Sequence, residues 1–140
     1  MGTDRNGADG IPDVLVDTSI DESVFRALSE RPRRYALYVL LDRESIETSE
    51  LADILTGWLY AAGHGMAGLE EHERVRRDLH HVHLPMLVDA GLVECDEAYT
   101  VVELSALRVR VLELLQWSRA YERETSRDVR STTDYRSGEV

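Results

Sequence analysis

The chain of 140 residues is 43% hydrophobic and carries 27 acidic against 16 basic residues, a formal net charge of −11. That length suits one domain with a real core and is short for two. Its single cysteine, Cys95, excludes an intramolecular disulfide and a thiolate zinc cluster built within one chain.

Every cation is an arginine, and lysine is absent. A strong negative charge with arginine as the only cation suits a cytoplasm of very high salt, where screening shortens to a few ångströms and hydrated carboxylates keep the surface in solution. The alternative source of that bias is a GC-rich genome with ordinary acidity. The start, MGTDRNGADG, has neither a basic run nor an apolar core, and no stretch reaches transmembrane length, so a cytoplasmic protein without a membrane partner is expected.

Residues 1–20 are rich in Gly, Asp and Pro and read as a flexible tail. A first helix is predicted from Asp21 to near Ser29, with Val24, Phe25 and Leu28 on one face. The stretch RPRRYALYVLLD starts a second helix with Pro32 at an early position that tolerates a missing amide hydrogen. ESIE gives a short strand or a bend. A third helix begins with Thr48 or Ser49 as its cap, aligns Leu51, Ile54, Leu55 and Leu59, and stops near Gly63.

HGMAGLEE reads as a linker before a fourth helix, about residues 73–90. There Val75, Leu79, Val82, Met86 and Ala90 share about 80° of arc at 100° per residue. Gly91 supplies its left-handed exit. Leu92 to Cys95 and Tyr99 to Leu104 then form a β-hairpin around an acidic turn at residues 96–98. In the last helix Leu104, Leu107, Val111, Leu114, Ser118 and Tyr121 follow a three-four spacing, and Leu112, Leu115 and Trp117 widen the apolar surface. So broad a surface calls for a second neighbour, which makes Leu104, Leu107, Val111, Leu114, Leu115 and Tyr121 a candidate homodimer interface. Residues 125–140 read as a flexible tail.

The expected class is mainly α with a small β-hairpin. Its element order is that of a winged helix-turn-helix domain over residues 21–104, followed by a dimerisation helix over 105–124. LPMLVDAGLVECD resembles the end of the recognition helix and the entry to the wing in ArsR-like and MarR-like regulators. Together, RPRRYALYVLL and LHHVHLPMLVDAGLVECD look like a family of small haloarchaeal winged-helix domains, with His-Leu-Pro at residues 83–85 the most specific element. The resemblance implies DNA binding and a regulatory role in a salt-rich archaeal cytoplasm, and brings no ligand or operator. The wing here has no arginine, and Cys95 stands where that pattern has an aromatic residue.

DNA binding needs cations at the face that meets phosphate. They gather in two places: four arginines over residues 31–45 and three over 74–93. On the fourth helix Arg74, Arg77, His81 and Leu84 lie opposite the apolar stripe and are the predicted readers of double-stranded DNA, with Arg76 and His80 on the flank. Arg33 and Arg34 on the second helix join that set.

His83 lies about 40° from the stripe, which favours a core or interface histidine over a metal ligand. The metal alternative would pair His80 with His83 and add His72, His64 or Cys95, but nothing fixes such a set. Pro85 kinks the fourth helix or divides it, turning Met86 to Ala90 back into the core. Acidic neighbours raise the Cys95 thiol and favour an inert residue. Trp58, Tyr60 and Met66 could line a small pocket but read more readily as core. No Gly-rich phosphate loop, nucleophile elbow or distinct carboxylate pair is present, so an enzyme is not expected, nor is a cofactor, a metal or a small-molecule effector. The competing class is a protein interaction module that keeps a winged-helix scaffold and has lost DNA.

Overall fold

A computed structural model describes residues 22–61 and 68–139, with side chains through residue 125. The expected N-terminal tail, the Gly63 stop, His64 and Met66 lie outside the described residues. The protein is mainly helical around a small three-stranded antiparallel sheet. In chain order the elements are α1 (Glu22–Ala27), α2 (Arg31–Arg43), β1 (Ser45–Glu47) and α3 (Thr48–Leu59). Then follow α4 (Leu69–Asp78), a π turn (Leu79–His83), α5 (Leu84–Asp89), β2 (Val93–Cys95), β3 (Val101–Leu104) and α6 (Val109–Glu139). Among the described residues, no helix is long and apolar enough to cross a membrane.

The core is assembled from one face of each element. Leu37 and Leu40 of α2, Leu51 and Leu55 of α3, Leu79, Leu84, Leu87, Val102 and Leu115 are buried together. The sheet order is β1-β3-β2, so ESIE resolves as an edge strand rather than a bend. Ile46 and Cys95 both pair with Val102, and the buried side chains of Ile46 and Val102 close the core from the sheet side.

Thr48 does not cap α3. Its hydroxyl donates to the Tyr99 carbonyl at 2.9 Å and its amide to the Thr100 carbonyl at 2.9 Å. The start of α3 is therefore tied to the β2–β3 turn. That turn is organised by Asp96, whose carboxylate accepts the Thr100 amide at 2.7 Å, the Val101 amide at 3.0 Å and the Thr100 hydroxyl. These donors hold the Asp96 carboxyl below its usual range, the Thr100 hydroxyl first. Tyr99 takes a positive φ of 58° at the tip.

The fourth helical segment starts earlier than expected. Gly68 stands at the N-cap and the Glu71 carboxylate accepts its amide at 3.0 Å, so Leu69 to Glu71 belong to the helix and not to a linker. At the other end Gly91, at φ 76°, donates to Val88 and Leu92 donates to Leu87, the paired bonds of a Schellman stop.

Between these ends the backbone widens. The Leu84 amide reaches back five residues to the Leu79 carbonyl, and Pro85, next in line, has no amide hydrogen to give. One extra residue in the turn rotates all that follows by about 100° relative to a uniform α-helix. Val82, expected inside, is 45% exposed; Leu84, expected to read DNA, is 0% exposed in the core. A stripe counted at 100° per residue cannot foresee that step.

The last helix also differs from its expected outline. Leu104 ends β3 opposite Val93, and Leu107 lies in the connection, so neither sits on the helix. The helix begins at Val109 and its backbone continues to Glu139, through residues expected to be loose. Val111 and Leu115 are buried in the core of their own chain and cannot form a dimer face. Leu114 packs partly against that core, while Trp117 and Tyr121 stay 64% and 57% exposed, stacked at 5.4 Å.

Candidate nucleic-acid interface

The exposed side of α4 and the π turn faces a groove of about 440 Å³. It is lined by Glu73, Arg76, Arg77, Leu79, His80 and His81, by Thr48 and Ser49 at the start of α3, and by Ala98, Tyr99 and Thr100 of the hairpin turn. Residues 73, 76 and 77 of α4 and 80 of the π turn fall on one side because three- and four-residue steps return to the same face. Arg74 is exposed but lies outside this lining. Arg76 and His80, expected only on the flank, belong to it.

Arg74, Arg76 and Arg77 are all exposed, and none forms an ion pair among the described residues. His80 turns toward the hairpin: its Nε2 is 3.4 Å from the Ala98 carbonyl oxygen, and its ring lies 5.6 Å from that of Tyr99 and 5.1 Å from that of His81. The groove thus offers two guanidiniums, two imidazoles, two hydroxyls at a helix start and an aromatic edge. Glu73 sets one carboxylate against them.

Arg33 and Arg34 are elsewhere. Arg33 is 2% exposed; its Nε donates to the Ala27 carbonyl at 2.8 Å and its terminal nitrogens to the Arg26 carbonyl at 3.3 Å and toward His83 Nδ1 at 3.1 Å. Arg34 donates to the Leu28 carbonyl at 2.8 Å and grips Glu122 of α6 with two bonds of 2.8 and 3.1 Å. The two arginines donate to carbonyls at the end of α1 and in the residue after it, Arg26, Ala27 and Leu28, and the Arg26 carbonyl also accepts from Ser29. They are structural, and neither is free to meet DNA.

Tyr38 completes the second cluster, donating its hydroxyl to Glu122 at 2.5 Å. Burial first, and then the Glu122 carboxylate, push the Tyr38 phenol well above its ordinary value. Burial alone would raise the Glu122 carboxyl, but bonds from Arg34 and Tyr38 and the charge of Arg34 outweigh it and leave the carboxyl below its usual range. This junction was not foreseen, since Glu122 and Arg34 are 88 residues apart and each looks like an ordinary surface charge.

The histidines part company. His83 is 7% exposed against Arg33, as a core histidine, while His80 and His81 are exposed on the groove side. His72 pairs with Asp53 of α3. Among the described residues, no three of His, Cys, Asp or Glu come together as a metal site. Cys95 is half-buried on β2, its thiol pushed up by burial and then by Asp96, so a reactive thiolate is disfavoured. Trp58, expected as core, is 47% exposed and packs edge-on to Tyr35 at 5.6 Å, while Tyr60 rests partly buried against the core.

A family model described as a domain of unknown function, DUF7344, matches residues 25–103, more than half of the chain. The chain belongs to the DUF7344 family. Neither a curated protein nor a solved structure matches it. The DUF7344 segment spans α1 to β3, and so holds the whole groove and the Arg33–His83 contact, whereas Glu122, Trp117 and Tyr121 lie beyond it.

Proposed function

We propose that this DUF7344 protein is a winged helix-turn-helix regulator that binds double-stranded DNA, with α3 and the α4–α5 segment as the helix pair and β2–β3 as the wing. The observation that carries the reading is that Arg76 and Arg77, with no carboxylate partner among the described residues, share one concave groove with His80, His81 and the start of α3. Guanidiniums that form no carboxylate pair are available to phosphate or to the edge of guanine. A net charge of −11 opposes approach to DNA in dilute buffer. In a salt-rich archaeal cytoplasm that repulsion is screened, along with part of the arginine attraction, and affinity leans on direct contacts in the groove.

The chain is further proposed to act as a homodimer through the flank of α6, where Leu114, Trp117 and Tyr121 recur at three- and four-residue steps. Two DNA-reading helices would then address two half-sites. A monomer mass for the full chain in light scattering at molar salt would remove the dimer.

A second reading, a protein interaction module, draws on the hairpin. Its exposed charges are Glu94, Asp96, Glu97 and Glu103, all of the sign that repels phosphate. Elution from immobilised duplex DNA across salt concentrations separates the two. Under the DNA reading the wild type is retained to higher salt than an Arg76→Ala/Arg77→Ala protein. Co-elution of the two at low salt favours the interaction module.

A further inference from the structure

The π turn presents one polar side chain to the interior, His83, and its partner is a buried cation. Guanidinium has donors and no acceptor, so the Nδ1 that faces Arg33 at 3.1 Å must carry the lone pair, and the ring proton of the neutral imidazole sits on Nε2. A protonated imidazole has no lone pair to offer at either nitrogen. The same contact would then set two cations against each other where water is scarce.

We propose that the Arg33–His83 contact is a proton-sensitive latch that seats the π turn against α2 and lets it go when the imidazole gains a proton. The surrounding charges support it. From α2 comes Arg33; from the residue before α2, Glu30 stands 3.8 Å from Arg33 with an exposed side chain; from the helix of His83 itself comes Asp78. The end of α1 presents the Arg26 and Ala27 carbonyls, both already taken by Arg33. Burial and then Arg33 lower the affinity of His83 for a proton, and Glu30 and Asp78 oppose them without prevailing.

The direction of the pH response follows. An unfolded histidine titrates at about 6.5 and folded His83 lower, so below that value the unfolded chain binds more protons. The stabilisation is fully present above about pH 6.5 and is lost as the pH falls through the lowered folded value. The inference concerns the fold and does not depend on DNA; if α4 and α5 read DNA as proposed, the same proton weakens the groove.

Thermal unfolding of the full chain at pH 7.5 and 5.0 in molar salt tests it, comparing wild type with His83→Gln, which keeps an acceptor and cannot titrate. The wild-type melting temperature should fall by about 3–6 °C more than that of His83→Gln, and a His80→Gln/His81→Gln protein should keep the wild-type loss. Parallel profiles for wild type and His83→Gln overturn the latch, as does a His80→Gln/His81→Gln protein that loses the response. Should His83→Gln fail to fold, NMR titration of the wild-type His83 ring decides. A midpoint below about 6.5, shared by the Arg33 Nε–H resonance, upholds the latch. A midpoint at or above that value overturns it.

Discussion

Helices α2 and α4 carry nearly the same letters, RPRR at residues 31–34 and RVRR at 74–77, and the fold uses them in different ways. In the first run Arg33 and Arg34 sit in the opening turn of α2, directly after the short α1, where the Ala27 and Leu28 carbonyls accept from their guanidiniums. Both guanidiniums are drawn into that end, and each then meets a second partner, His83 or Glu122. The second run lies inside a continuous helical segment, where backbone carbonyls are already paired within the helix. Its guanidiniums stay at the surface. An arginine's fate follows from the nearest acceptor left unpaired, not from the density of arginines along the chain.

Substitutions in the two runs should therefore separate stability from binding. The largest expected effect is from Arg33→Ala, which leaves the Ala27 carbonyl and His83 without their donor in the interior; a loss of about 3 kcal/mol or more in urea unfolding is expected. Leu84→Ala belongs in the same range, about 2–5 kcal/mol, because Leu84 is a core residue. A change under about 1 kcal/mol would put Leu84 back on the surface.

Glu122→Gln should cost about 1–2 kcal/mol by removing the charge that Arg34 grips and Tyr38 bonds. It also tests whether α6 is fastened to α2 by that junction, since hydrogen exchange in α6 should rise with it. Arg76→Ala and Arg77→Ala should each shift stability by no more than about 0.5 kcal/mol, as unpaired surface groups do. Val82→Ala is expected to fall within that same narrow band despite its place in the apolar stripe, because the π turn rotates it outward. A core-sized loss at Val82 would contradict the rotation.

The outline of the fold was legible where local chemistry leaves no choice. Pro32 at the start of α2, Gly91 at the left-handed exit from α5 and the two short runs around Asp96 placed a helix, a stop and a hairpin. Uniform periodicity failed at residues 79–85, since an amide that reaches back five residues changes the phase and only Pro85 hints at it. It failed again at Leu104, Leu107 and Val111, whose three-four spacing runs across a strand, a connection and a helix. In the groove, Arg76, Arg77, His80 and His81 could be named from the continuous segment of α4 and the π turn. Thr48, Ser49, Tyr99 and Thr100 could not, because the bonds from Thr48 to Tyr99 and Thr100 join residues 51 and 52 positions apart.

As proposed, the outer side of α4 meets nucleic acid through Arg76 and Arg77. The most direct test measures duplex DNA affinity against salt for the wild type and the Arg76→Ala/Arg77→Ala protein, after both are shown to melt alike. Under the proposed DNA reading, removing the two arginines should lower affinity and reduce the slope of log K against log salt by about two. Equal slopes and equal affinities would mean that Arg76 and Arg77 do not meet DNA.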